Sequence, residues 1–287
     1  MHIILGATGH IGSSLTQALL ERGERVEIVT RDEGKADAWR RRGARAVVVD
    51  VHDTGALRRV FQGGKRLYLL NPPAPPSTDT AREERATLSS ILSALEGSGL
   101  EKIVAQSTYA AQPGDRIGDL GVLYEMEQAL AAQPIPSSIL RGAYYMSNWE
   151  ASLETVMAKR ELPSFYPTDM VFPMVAPSNL GEVAARLMTE PLGSSRLVHV
   201  EGPERYSPND VAAAFGAALK TVIRAVEIPR ADRVAVLRSM GFSEPAAESF
   251  SAMTDAAMRA EIPAPEHAIR GTTSLATYVT QRVQVSH

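Results

Sequence analysis

The chain has 287 residues, 44% of them hydrophobic and 22% charged, with a formal net charge of −3. That balance describes a globular chain with ample material for a core, and the slight negative charge argues against a nucleic-acid footprint or a polybasic membrane anchor. No cysteine is present, which excludes disulfides, thiolate metal sites and cysteine nucleophiles.

No apolar run approaches the roughly 18 residues of a membrane span, and strand-like sequence begins at His2 without a preceding signal pattern. A cytoplasmic protein without a membrane partner is expected. The six histidines (2, 10, 52, 199, 267, 287) show no ligand spacing, so no metal site is expected.

The first 140 residues alternate between two periods. Short aliphatic runs predict strands at 2–5, 25–30, 45–50, 66–70, 102–107 and 137–141, and amphipathic stretches predict helices at 11–22, 33–42, 54–62, 80–97 and 119–132. Gly23, Gly43, Gly63 and Gly99 fall where these helices should stop in a left-handed cap. Strands alternating with helices imply right-handed crossovers and a doubly wound parallel α/β sheet, the Rossmann arrangement.

Beyond Arg141 the pattern loosens. Residues 144–158 read as helical, and "ELPSFYPTDMVFPMV" (161–175) as an irregular loop or hairpin. Helices are expected at 178–190, 207–219, 230–240 and 244–260, with strands near 196–201 and 223–228. The expected division is a dinucleotide-binding domain at 1–142 and a smaller, mostly helical substrate lobe at 143–287, with some segments returning to the first domain's core.

"ILGATGHIGSSL" (4–15) joins the first strand to the first helix. In that setting Gly6 permits a tight turn, Gly9 lets the backbone approach a pyrophosphate, and Gly12 lets the helix pack against the strand. The helix N-terminus then offers free N–H groups and partial positive charge to the phosphates. At the end of the second strand, a carboxylate favours NAD and an arginine favours NADP. Here Arg31 stands there, with Lys35 one helical turn on, so NADP(H) is expected over NAD(H). Asp32 either repels the phosphate or caps the helix at 33–42. The run "RRRGAR" (40–45) ends a helix, where cations offset the macrodipole.

"GATGHIG", "TRDEGKADAWRRRGARAVVVDVHDTGALRRVFQG", "IVAQSTYAA" and "SSILRGAYYMSNW" together resemble the NmrA-like branch of the atypical short-chain dehydrogenase/reductases. That family includes NAD(P)H-dependent quinone reductases, triphenylmethane dye reductases and NADP(H)-binding redox sensors. The resemblance implies that Gly6, Thr8, Gly9, His10, Ile11 and Gly12 contact the pyrophosphate and Arg31 the 2′-phosphate. It also implies Asp50 and Val51 at the adenine, Asn71 and Pro72 along the cofactor, and Ser107 and Thr108 near the nicotinamide.

The wider superfamily activates a tyrosine with a lysine four residues later. Here Tyr124 is followed at that spacing by Gln128, and a lysine one residue before the tyrosine, as in some relatives, is replaced by Leu123. Carbonyl–alcohol redox chemistry and sugar epimerisation are therefore disfavoured. Quinone or dye reduction asks mainly that an electron-poor acceptor be positioned against the nicotinamide.

The expected hydrogen-bond donors are Thr108 and Tyr109, with Tyr124 in reserve. Tyr144, Tyr145, Phe165 and Tyr166 are the expected substrate-pocket residues, because aromatic walls suit flat acceptors; Trp149 is assigned to the core. Arg141 either pairs with a buried carboxylate or holds a substrate oxygen.

The reading is an NAD(P)H-dependent reductase of a quinone, dye or similar conjugated acceptor. Its alternative is a non-catalytic NADP(H) sensor acting through a protein partner. A small aromatic or quinone-like substrate is expected, with a homodimer allowed.

Overall fold

The strand runs of the first half line up side by side in one parallel sheet. The computed structural model describes residues 1–261 and 265–285. In chain order its first part runs β1 (His2–Ile4), α1 (His10–Glu21), β2 (Val26–Thr30), α2 (Glu33–Arg41), β3 (Arg45–Val48), α3 (Thr54–Gln62), β4 (Arg66–Leu69), α4 (Thr80–Leu95), β5 (Lys102–Thr108), α5 (Asp119–Ala132) and β6 (Ser137–Gly142). Two later strands, β10 (Leu197–Glu201) and β13 (Ala268–Arg270), extend the same sheet to eight, in the order β13-β10-β6-β5-β4-β1-β2-β3. Every pairing in it is parallel. The order reverses between β1 and β4, which is where doubly wound sheets open a crevice at their carboxyl edge.

The two faces are set by strand alternation. Ile3, Leu5, Leu67, Leu69, Ile103 and Ala105 point into one core with α3, α4 and α5. Their neighbours Ile4, Tyr68 and Val104 point into the other, with α1 and α7 (Pro177–Thr189). Both faces are apolar because both are covered by helices. Each fully buried aliphatic side chain contributes roughly 1.5–3 kcal/mol.

Helix α7 lies against α1 at the distance of bare backbone. A Cβ on Gly181 would stand 2.7 Å from the Leu15 amide nitrogen.

The smaller lobe has its own core around Trp149, Phe172, Phe215 and Tyr278. It is built from β7 (Tyr144–Tyr145), a 3-10 turn at Met146–Ser152, α6 (Leu153–Lys159), β8 (Glu161–Ser164) and β9 (Phe172–Val175). It continues with β11 (Arg205–Tyr206), α8 (Pro208–Leu219), β12 (Arg224–Glu227), α9 (Arg233–Ser239), α10 (Glu244–Arg259) and α11 (Leu275–Val285).

Here the structure departs from the sequence expectations. Residues 144–158 begin as a strand and a 3-10 turn before becoming helix. The 161–175 segment holds two strands that do not pair with each other: β8 pairs with β12, and β9 lies between β7 and β11. The helix expected at 230–240 opens as a 3-10 turn at Arg230–Asp232. Gly23, Gly43 and Gly99 take positive φ, but Gly63 ends α3 at φ −76 and needs no glycine-specific backbone.

Candidate functional site

The glycine turn after β1 is the first component. Gly6 takes φ +69, and a Cβ there would stand 2.2 Å from Leu70 Cδ2; a Cβ on Gly12 would stand 2.2 Å from the Gly6 carbonyl oxygen. These two glycines are required by the fold itself. Gly9 is different: its φ of −90 suits any residue, and its Cβ would meet only the Gly6 oxygen, at 3.5 Å. It is exposed and caps α1 without a side-chain hydrogen bond, so the first-turn N–H groups of His10, Ile11 and Gly12 have no side-chain cap. Thr8 is half-buried beside them. The turn therefore leaves a bare backbone concavity over a helix N-terminus, which fits a pyrophosphate.

At the end of β2, Arg31 is exposed with no ion pair among the described residues. The two roles left open for Asp32 resolve in favour of the cap. Its Oδ1 accepts the Lys35 amide N–H at 3.0 Å, which fixes the carboxylate at the start of α2. Lys35 is exposed in that first turn. Strand β3 stops at Val48, and Asp50 follows in an exposed turn where its Oδ1 accepts from the His52 N–H at 2.9 Å. The half-buried Val51 has its carbonyl taken by Ser90 Oγ at 2.7 Å.

The second component is a cavity of about 420 Å³ across the carboxyl ends of β4, β5 and β6. The strand ends contribute Leu70, Asn71, Gln106, Thr108 and Tyr109. Helix α5 contributes Asp119 and Leu123, the aromatic segments contribute Tyr144, Tyr145, Tyr166 and Phe172, and α10 contributes Met253 and Ala257. Leu70 joins the two components, since the side chain that would touch a Gly6 Cβ also lines the cavity.

The aromatic wall is a packed cluster. The Tyr144 ring lies 5.6 Å from Tyr166 and 5.4 Å from Phe172, both nearly edge-on, and 5.7 Å from Trp149. Trp149 itself is buried in the lobe core. Phe165, expected at the pocket, does not line it and packs on Phe250 at 5.6 Å, in the bend that follows β8.

Of the expected donors, Thr108 lines the cavity and Tyr124 does not. Tyr124 is half-buried on α5, one position beyond the pocket-facing Leu123. Tyr109 lines the cavity but sits edge-on to His199 at 5.2 Å. Burial and then the Glu201 carboxylate push its hydroxyl well above the ordinary range, and that neighbouring negative charge opposes any charge left on the tyrosine oxygen.

Ser107 is a correction. It is fully buried, and its Oγ donates to Glu127 Oε1, placing it beneath the sheet edge instead of in the cavity. The same glutamate resolves Arg141, whose Nε and Nη2 donate to Glu127 Oε1 and Oε2 at 2.9 and 2.6 Å. Arg141 is therefore committed to a buried carboxylate. Asn71 lines the cavity whereas Pro72 does not, Pro73 standing there instead. Asn71 Nδ2 donates to the Glu84 carbonyl at 3.1 Å, leaving its buried Oδ1 without a partner among the described residues, an acceptor suited to a hydroxyl or amide of a bound group.

Three polar groups of the wall escaped the sequence reading. Glu84 and Asp119 are hydrogen-bonded to each other, and Glu84 Oε1 also accepts the Ala74 N–H at 3.0 Å. Burial first, and the neighbouring Asp119 charge second, push Glu84 up to about 8. Asp119 lines the cavity at the start of α5, where it remains exposed to solvent, and desolvation of its carboxyl by the surrounding protein raises it too. The third group is Gln106, 2% exposed, near the end of β5. A signal existed for two of them. Glu84 falls on the apolar stripe of α4 with Ala81 and Leu88, and Gln106 interrupts the apolar run of β5. Among the described residues no cluster of three or more His, Asp or Glu is arranged to hold a metal, and no helix is long and apolar enough to cross a membrane.

The model of the NmrA-like family matches residues 2–262. Among curated proteins, the NAD(P)H azoreductase of Xenophilus azovorans is 24% identical over 253 residues, covering 88% of this chain and 85% of the relative. Among solved structures, an NADPH-dependent quinone oxidoreductase from Escherichia coli superposes with a TM-score of 0.79 at 21% identity, covering 98% of this chain and 99% of the other. Triphenylmethane reductase from Citrobacter sp., in complex with NADP(H), superposes with a TM-score of 0.81 at 18% identity, with the same coverage.

Proposed function

Because the chain belongs to the NmrA-like family, we propose that it is an NAD(P)H-dependent reductase that prefers NADPH and reduces a flat conjugated acceptor such as a quinone or an azo or triphenylmethane dye. One observation carries this reading: the bare backbone cradle and the aromatic-walled cavity share the side chain of Leu70, so a dinucleotide on the first reaches into the second. The relatives described above are named for reducing azo compounds, quinones and triphenylmethane dyes, which supports the acceptor class.

In this reading the backbone at Gly6, Thr8, Gly9, His10, Ile11 and Gly12 binds the pyrophosphate, and Arg31, aided by Lys35, meets the 2′-phosphate. Asp50 and Val51 border the adenine, while Asn71 and Thr108 face the nicotinamide end. When bound, a dihydronicotinamide dinucleotide supplies hydride. Tyr144, Tyr166 and Phe172 hold the acceptor flat, and α10 covers it from water through Met253 and Ala257. Such chemistry needs positioning more than a tyrosinate base, so it does not require the lysine that Leu123 and Gln128 replace.

The test is oxidation of NADPH by purified protein with a panel of quinones, azo dyes and triphenylmethane dyes, with NADH in parallel. Saturable, protein-dependent oxidation with NADPH preferred is the expected result. Tight NADPH binding without oxidation of any acceptor overturns the enzyme and leaves a redox sensor with a protein partner, the reading that the missing lysine favours.

A further inference from the structure

The cavity contains a hydroxyl whose hydrogen has been left free by its neighbours. Gln106 Nε2 lies 2.9 Å from the Ser107 carbonyl oxygen, 3.1 Å from the Tyr145 hydroxyl and 3.3 Å from the Leu140 carbonyl oxygen. Two carbonyls around one end of the amide fix that end as the NH2, because the amide oxygen there would face two acceptors. With the amide set this way, Gln106 Oε1 accepts from the Tyr68 hydroxyl at 3.0 Å.

An amide nitrogen does not accept hydrogen bonds. At the Gln106–Tyr145 contact the tyrosine oxygen is therefore the acceptor, and its own O–H points elsewhere. Both residues line the cavity. The Tyr145 O–H has no acceptor among the described residues, and the ring is held by its contact with Gly142, where a Cβ would stand 2.9 Å from Tyr145 Cε1. Burial raises the Tyr145 hydroxyl above its ordinary range while the Gln106 hydrogen bond opposes this, so the group stays protonated as a donor at neutral pH.

We propose that Tyr145 is the hydrogen-bond and proton donor to the oxygen of a quinone acceptor, with Gln106, itself oriented by Tyr68, as the residue that positions it. The inference rests on the reductase reading. A bound dihydronicotinamide would supply hydride, two electrons and one hydrogen, to one quinone oxygen, and negative charge would develop on the other. The Tyr145 O–H bond breaks as the new O–H bond forms on that oxygen, giving the hydroquinone and a phenolate. Solvent entering through the cavity mouth reprotonates the phenolate. Hydrogen bonding to Gln106 Nε2 stabilises the phenolate while it lasts. This arrangement supplies a donor by a route independent of the Tyr124 position.

A triphenylmethane dye cation separates this role from mere packing. It takes up hydride at carbon and becomes neutral without a proton, so the donor is needed for a quinone and not for the dye. In Tyr145→Phe, the ratio of kcat/KM for 1,4-naphthoquinone to that for crystal violet should fall by about 10²-fold, the scale of a lost general acid. Tyr68→Phe should produce a smaller loss of the same selectivity, since it frees the Gln106 oxygen without entering the cavity.

Equal losses with both acceptors, or an unchanged quinone rate, overturn the proposal. Equilibrium binding provides a readout that needs no turnover. Quenching of the intrinsic fluorescence of the two tryptophans, Trp39 and Trp149, by 1,4-naphthoquinone, without nucleotide, should show roughly 2- to 10-fold weaker binding in Tyr145→Phe, as a lost neutral hydrogen bond predicts, and unchanged binding overturns it. If the unaltered protein turns over neither acceptor, the reductase reading has failed, and this binding comparison still decides the role of Tyr145.

Discussion

Arg141 and Glu127 form a two-point ion pair beneath the cavity, with Nε and Nη2 on the two carboxylate oxygens and Ser107 Oγ on one of them. It locks α5 to the ends of β5 and β6, and so sets the distance between Leu123 and the strand-end residues of the cavity. Breaking such a pair from one side leaves a buried charge alone, at a cost of about 3–5 kcal/mol. Arg141→Met should therefore lower the melting temperature substantially, and the double variant Arg141→Met/Glu127→Met should recover much of the loss. If the double variant is as unstable as the single, the pair is not what fixes α5.

Gly9 and Gly12 predict opposite phenotypes from the same substitution. An alanine at Gly12 meets the Gly6 carbonyl and must move backbone, so Gly12→Ala should destabilise the fold by more than 1 kcal/mol, roughly the scale of overpacking. Gly9→Ala should melt within about 0.5 kcal/mol of the unaltered protein and lose nucleotide affinity. Paired thermal melts and NADPH titrations check both. Unaltered NADPH affinity in Gly9→Ala would remove the turn from the cofactor site.

Arg31 should report the nucleotide's 2′-phosphate alone. Arg31→Ala should weaken NADPH binding on the order of 10-fold, as expected for a lost charge-assisted hydrogen bond, and leave NADH binding unchanged. Asp32→Ala should act through α2 instead, lowering stability by about 1 kcal/mol through loss of its cap. Equal loss of both nucleotides in Arg31→Ala would place the phosphate elsewhere.

Glu84 gives the protein a stability term that runs against the usual acid denaturation. Its proton is held to about pH 8 in the fold, against 4.5 for the ordinary group, so the folded state binds more protons than the unfolded chain in that window. The contribution is complete below pH 4.5, diminishes as the pH rises and is gone above about 8. The melting temperature of the unaltered protein, relative to Glu84→Gln, should fall across that range. A difference that stays constant with pH sinks the assignment.

The sheet was legible because its signals are local. Each strand of the first half is a short aliphatic run and each crossover helix has a stripe of its own, so β1 to β6 follow from period alone. The cap role of Asp32 and the partner of Arg141 were open in the sequence for a different reason: Glu127 is 14 residues away in the chain and reaches the arginine only through the β5–α5–β6 crossover. The smaller lobe was harder to read because its strands are as short as two residues and pair across long separations, as β8 does with β12. Phe165 shows the same limit within the site. Its neighbour Tyr166 was assigned to the pocket on composition and lies there, while Phe165 packs on Phe250, a partner 85 residues away that only the fold brings to it. Gln106 announced itself as a polar residue in a buried strand, but its meaning depends on two carbonyls and two tyrosines that only the fold assembles.

Strand β10 lies between β6 and β13, and the residues that complete its outer side are made 67 positions after the strand itself, counting from Glu201 to Ala268. As the chain leaves the ribosome, β10 can add to β6 while its other row of peptide groups still lacks a partner. Until residues 268–270 emerge, the five-residue β10 is the sheet's open edge on that side, a longer template for pairing with other chains than the three-residue β13 that later replaces it as the edge. A protein built this way is most prone to association late in synthesis, and slow translation through the stretch between β10 and β13 prolongs that exposure.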